Sequence, residues 1–332
     1  MNMSLSPSSF RTAVLSFTMV IGSLLALGCD APVDVEGGEL TPSPSMLGKA
    51  DSGWKGSARP SFDESTCSYD REDPFEPRTR FTKGPWKGEC LDTKTRRPVQ
   101  VLSSPDTKSP ILELANVYHD KGYWFAWIPT DAVAQVYFQL EYFPAVVPAG
   151  HTQIRIEFSE PVMLWGQSQW NRGKEERIHN LVISAEAVPR VGDSYDLFKG
   201  MQDHFGLALR VTSLAARYES MITEQDHHVE QWILQLTESE KSELLTFYAY
   251  ESEALGLVET YHTLFRNCTT ELIRNLDGVV QYTVGENIKK FLMKVTEFYP
   301  NIIRGALIAR GLLPLNQSTD WVALEDDPTF PL

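Results

Sequence analysis

Cysteine is scarce in this chain, with four among 332 residues, and basic residues are outnumbered, 30 Lys and Arg against 44 Asp and Glu. A formal net charge of -14 makes nucleic acid an unlikely partner, because binding to phosphate backbones is driven by positive charge. Beyond the N-terminus no apolar run is long enough to form a second membrane span, and there is no internal repeat. HExxH and paired-cysteine ligand spacings are missing, as are a Gly-x-Ser-x-Gly elbow and glycine-rich phosphate loops. Glu224, Asp226, His227 and His228 do cluster, but adjacent histidines on a strand point to opposite faces, so no metal site and no cofactor is expected.

What the chain does have begins at its start. A short segment carrying Arg11 precedes the apolar stretch Ala13 to Leu25, which is too short for a comfortable span and ends in Ala26-Leu27-Gly28-Cys29. This reads as a bacterial lipoprotein signal over residues 1–28, with Cys29 as the lipidated residue and the membrane as a partner through that anchor. Residues 29–66 are rich in Asp, Glu, Pro, Gly and Ser and suit a flexible tether. The expected location is the cell envelope, facing the periplasm or exterior. The rest has ordinary globular composition, 42% hydrophobic and 11% aromatic.

Export to an oxidising compartment gives the other cysteines roles. Cys67 and Cys90 flank a Pro-, Arg- and Asp-rich stretch with few core-forming residues, so a disulfide is expected to close a segment covering 67–109. Cys268 is then unpaired, a liability unless it is buried or used.

Val136, Phe138, Leu140 and Tyr142 alternate with Tyr137, Gln139, Glu141 and Phe143, predicting a strand that ends at Pro144. Thr152, Ile154, Ile156 and Phe158 form one face of the next strand, while His151, Gln153, Arg155 and Glu157 form a polar face, as in a half-buried strand. Leu181 to Glu186 is a third, with further strands near 207–212 and 229–236; together they predict an antiparallel sheet. Thr237 and Glu240 form a capping box opening a helix over 238–254. Asn267 is an N-cap that places Cys268 on the first turn of a second helix, where free backbone amides, the dipole and Arg266 favour thiolate. Apolar spacing around Phe291, Leu292, Val295, Phe298, Ile302, Ile303, Leu307 and Ile308, divided by Pro300, predicts a helical extension over 281–332.

Pro148 to Phe158, Leu181 to Glu186, and Tyr261 through Asn267-Cys268-Thr269-Thr270 together resemble the Lnb N-terminal periplasmic domain family over about residues 110–280. The resemblance implies an α+β, circularly permuted papain-like fold, akin to lecithin retinol acyltransferase relatives and NlpC-type cell-wall peptidases. It implies that Cys268 attacks a carbonyl and holds a thioester, with His151 as base and then acid, and backbone amides at the start of the Cys268 helix, around Asn267 and Thr269, forming part of an oxyanion hole. Glu186 shares the strand parity of His151 and is the candidate third member. Lnb-type enzymes move an acyl chain within a lipoprotein, which implies acyl transfer or hydrolysis on lipid or lipoprotein. Peptidoglycan cleavage, or binding of an envelope partner without catalysis, are the alternatives. Val162-Met163-Leu164-Trp165, near Trp170, is either a lip touching acyl chains or an ordinary hairpin.

Overall fold

The computed structural model describes residues 62–106, 109–143, 150–292, 302–315 and 322–327. Cys29, the signal segment and most of the tether lie outside them, as do Pro144, Val295, Phe298 and Pro300. Residues 62–66, read as the end of the tether, are joined to the folded part: Asp63 pairs with Ser68, and Phe62 packs on Tyr69.

Strands β1 (Gln100–Ser103), β2 (Ile111–His119), β3 (Gly122–Pro129), β4 (Val133–Tyr142), β5 (Gly150–Gly166), β6 (Glu175–Val188), β7 (Phe205–Ser213), β8 (His228–Ile233), β9 (Thr260–Tyr261) and β10 (Val322–Ala323) form one sheet. Its main order is β1-β2-β7-β6-β5-β4-β8-β10. Every pairing is antiparallel except β2 with β7. The expected antiparallel sheet is therefore present, in a mixed α/β architecture.

β5 explains how the sheet closes. Its first half lies between β4 and β6, while Met163 to Gly166 exchange β4 for β3, and β3 also pairs with β2. The circuit β2-β7-β6-β5-β3 is thus closed and leaves no free edge along those strands. The change of partner coincides with a register shift between Glu157 and Val162. Val162 to Trp165 is thus one arm of an ordinary hairpin, pairing with Glu175 to Ile178 of β6, with Val162 and Leu164 in the core and Trp165 against Trp127 at 4.3 Å between ring centres.

One prediction about β5 is corrected. Its polar face is not solvated: Gln153 and Arg155 are fully buried. The reason is long-range cover. Arg155 pairs with Asp327, and Gln153 accepts from Arg217 Nε at 2.8 Å. Arg217 comes from a short helix, Leu214–Tyr218.

The helices are α1 (Leu197–Gly200), α2 (Leu214–Tyr218), α3 (Glu238–Leu255), α4 (Cys268–Val279), α5 (Val284–Leu292) and α6 (Ile303–Ala309). The predicted capping box opens α3, and Gly256, at φ 51°, follows its last residue where a side chain would be strained. Leu244, Leu245, Tyr248 and Ala249 of α3 meet Leu272, Ile273 and Leu276 of α4 in the main core, against β4 to β7. Ile303, Ala306 and Leu307 of α6 join the same core, so this part of the extension packs on the sheet.

Residues before β1 contribute more packing than their composition suggests. The Cys67–Cys90 disulfide is formed, with 5.4 Å between Cα atoms. Phe81 and Leu91 join Val188, Ala208 and Leu257 in a second cluster. Arg97 pairs with Asp73 and Glu76 in the interior, and its guanidinium lies 4.0 Å from the centre of the Tyr123 ring.

Candidate active site

The register of β5 and β6 sets the first two groups. Ile154 opposes Ile183 and Arg155 opposes Val182; carried outward, the same register sets His151 against Glu186. His151 Nε2 lies 3.5 Å from Glu186 Oε1. It has no well-aligned hydrogen bond, so this contact is chiefly an ion pair.

The third group comes from the start of α4. Asn267 caps this helix: its side chain accepts from Thr270 N, while the Thr270 hydroxyl accepts from Asn267 N. A cap of that geometry fixes where the helix begins, and so fixes the direction of Cys268. Cys268 is a free thiol, only 3% exposed. His151 and the backbone amide and hydroxyl of Thr152 act electrostatically on the sulfur, which lies 3.9 Å from the Thr269 hydroxyl. The Thr152 hydroxyl also donates to the Thr269 hydroxyl at 3.1 Å. Three candidates from the sequence, Cys268, His151 and Glu186, are therefore brought together from three elements.

Electrostatics here favour charge separation. Burial alone would lower the pKa of His151, but Glu186 and Cys268 outweigh it and push the imidazole up to about 10. Burial alone would raise the Cys268 thiol, yet His151 and Thr152 bring it down to about 7. Burial is likewise overcome at Glu186, held well below the usual carboxylate range by His151, Arg217 and Arg210. The arrangement is a thiolate–imidazolium pair steadied by a carboxylate, able to attack a carbonyl and to deliver a proton.

One sequence expectation changes at the thiol, and the Asn267 cap is present as expected. Arg266 does not act on it: the guanidinium is held by Glu259 at 2.7 Å and Glu271 at 3.2 Å. Asn267 is occupied as a cap and by Thr263 O, which accepts from its Nδ2. Thr269 is fully buried and serves the Thr152 contact.

Several neighbours were missed by the sequence reading. Tyr261 lies by the Cys268 backbone amide and lines the cavity in front of the site. Arg217 bridges Glu141 at 3.3 Å and Glu186 at 3.6 Å. Arg210 reaches the same cavity from β7. Tyr261 stood at the edge of a noted motif, whereas the arginines carried no local signal.

The cavity measures about 430 Å³ and is lined by Arg96, His151, Glu186, Tyr195, Arg210 and Arg217 among others. Its walls are largely charged and aromatic. Of the acidic-histidine cluster, His227 Nδ1 meets Glu141 Oε1 at 2.6 Å, and His228 Nδ1 meets Glu325 Oε1 at 2.5 Å. Each histidine is thus taken by a different carboxylate. No described helix is long and apolar enough to cross a membrane.

No curated protein and no solved structure matches the chain. The Lnb N-terminal periplasmic domain family does match, over residues 121–295, a span that contains His151, Glu186 and Cys268. The chain, a mixed α/β cell-envelope protein, belongs to the Lnb N-terminal periplasmic domain family.

Proposed function

We propose that this protein is a thiol-dependent acyltransferase or hydrolase acting on an acyl bond of a lipid or lipoprotein in the cell envelope, held to the membrane by a lipid on Cys29. The observation that carries the reading is the convergence of Cys268, His151 and Glu186 from α4, β5 and β6. Cys268 thiolate attacks the carbonyl carbon and pushes its electrons onto oxygen. As the tetrahedral adduct collapses, the bond to the leaving group breaks and His151 gives that group its proton. A thioester remains. His151, now neutral, takes a proton from water or an acceptor amine or hydroxyl, which attacks and releases Cys268. Glu186 stabilises the imidazolium at both stages. Tyr261 lines the cavity beside the Cys268 amide and is the candidate donor to the oxyanion. The permuted papain-like arrangement, a strand histidine facing a helix-start cysteine, belongs to the same proposal.

A second reading, cleavage of a peptide or peptidoglycan amide, is favoured by the charged cavity, which suits a polar chain. Incubation with a fluorescent acyl thioester, followed by intact-mass measurement, tests the first reading. The expected result is a hydroxylamine-sensitive acyl adduct that Cys268→Ala abolishes. An adduct that persists in Cys268→Ala, or none at all, overturns it. Turnover of stem peptides without acyl loading would select the amide reading.

A further inference from the structure

Two hydroxyls are buried beside the thiol at positions where packing alone would be served by valine. Thr152, on the same side of β5 as Ile154 and Ile156, and Thr269, on the first turn of α4, are both closed to solvent. Burying a hydroxyl is unfavourable unless it is hydrogen-bonded. The Thr152 hydroxyl donates to the Thr269 hydroxyl at 3.1 Å, which commits the Thr152 proton and leaves Thr269 with its own. Among the described residues, the other hydrogen-bonding contact of the Thr269 oxygen is the Cys268 sulfur, at 3.9 Å.

The hydroxyls are thus ordered in one direction, from β5 to α4 to sulfur. A thiol sulfur is a weak acceptor, whereas a charged acceptor takes a bond roughly twice as strong, so a hydroxyl aimed at the sulfur favours thiolate. The local sequence makes the arrangement: Thr152 follows His151, and Thr269 follows Cys268, so each member of the pair brings a hydroxyl on the next residue. Burial would raise the Cys268 thiol; His151 first, and Thr152 after it, bring it down to about 7.

We propose that Thr152 and Thr269 form a hydroxyl relay that orients the Cys268 sulfur and holds it as thiolate, acting as positioning residues. The relay transfers no proton; it points one. This deepens the thiol reading and rests on Cys268 being the nucleophile. The titratable groups around the sulfur are His151 of β5, Glu186 of β6 behind it, Tyr261 of β9 and Tyr195 ahead of α1, and the test leaves all four in place.

The experiment is the pH dependence of iodoacetamide labelling in the full chain, read from the mass of the peptide carrying Cys268. The wild-type midpoint should fall near pH 7. Thr269→Val should raise it by about one unit, the loss of one charge-assisted hydrogen bond, and slow labelling at neutral pH about fivefold. Thr152→Val, which releases the Thr269 hydroxyl from its donor, should move the midpoint the same way by about half as much. Thr269→Ser and Thr152→Ser keep the hydroxyls and should restore the wild-type midpoint. The alkaline plateau, which reports access to the sulfur, should stay within about twofold throughout. If Thr269→Val does not fold, Thr152→Val and the two serine variants decide the matter. An unmoved midpoint in the valine variants that fold, or a serine variant that behaves like its valine counterpart, overturns the relay. Labelling needs no acyl substrate, so the two readings fail separately. A shifted midpoint without an acyl adduct in wild type keeps the relay and ends the acyl reading; an adduct with an unmoved midpoint does the reverse.

Discussion

Two histidine–carboxylate pairs sit side by side in this protein, and the tighter one is not the one beside the thiol. His227 meets Glu141 at 2.6 Å, whereas His151 meets Glu186 at 3.5 Å. Burial does not separate them: the two histidine side chains are 10% and 12% exposed. Arg217 touches both carboxylates. The difference is what else the imidazole faces. His227 ends in a closed clasp that fixes β4 to the start of β8, while His151 divides its ring between a carboxylate and a sulfur. In the proposed mechanism the His151 ring hands its proton back and forth, and a looser hold serves that role.

The sharpest way to break the comparison is to exchange its members. Cys268→Ala should reduce acyl turnover by roughly a thousandfold or more, and His151→Gln should fall nearly as far, because groups that act as a unit fail together. His227→Gln should leave turnover within about twofold, since surrounding contacts keep the site in place. Comparable losses at the two histidines would end the distinction.

Glu186 against Glu141 comes next. Glu186→Gln should lower turnover by about tenfold to a hundredfold and move the alkaline limb toward neutrality. Glu141→Gln should act mainly on stability, costing about 3 kcal/mol in denaturant unfolding by leaving the buried Arg217 and His227 undercompensated.

The pH profile sharpens the same contrast. Turnover should rise as Cys268 ionises near pH 7 and fall as His151 loses its proton near pH 10. Both shifts also bear on stability. The raised His151 pKa stabilises the fold most below 6.5 and loses that contribution as pH climbs through about 10. The lowered Cys268 pKa contributes above 9.0 and loses it as pH falls through about 7. A His151→Gln profile that kept both limbs would refute the assignment.

The smallest expected effect compares helix starts. Thr237→Ala and Asn267→Ala should each cost about 1 kcal/mol of stability. Only Asn267→Ala should also slow thiol labelling by iodoacetamide, because that cap aims a reactive sulfur.

Much of this was legible in the sequence because it was local. Period-two alternation marked β4, β5 and β6, and caps marked α3 and α4. Strand parity was enough to place His151 and Glu186 on one face. What stayed hidden was non-local. The polar face of β5 is buried by α2 and residues 322–327, which no alternation within β5 records. The continuation of β5 through Trp165 depends on β3, a partner far back in the chain. Arg210 and Arg217 matter only because β7 and α2 deliver them to Glu186. Arg266 misled for the converse reason: adjacency in sequence suggested an action on Cys268 that Glu259 and Glu271 absorb.

The Cys67–Cys90 bridge has a consequence for how a chain with three thiols in its folded part can mature safely. Both partners precede the sheet, separated by 23 residues, while Cys268 follows most of it. Joining either to Cys268 instead would close a far longer loop, at an extra entropic cost of about 2 kcal/mol. The neighbouring pair is thus favoured to find itself first during oxidation. Once α4 docks, the remaining thiol is shielded from exchange. The spacing of cysteines along the chain acts as a sorting rule: one pair is oxidised early, and the third thiol, the proposed nucleophile, is kept reduced by its burial.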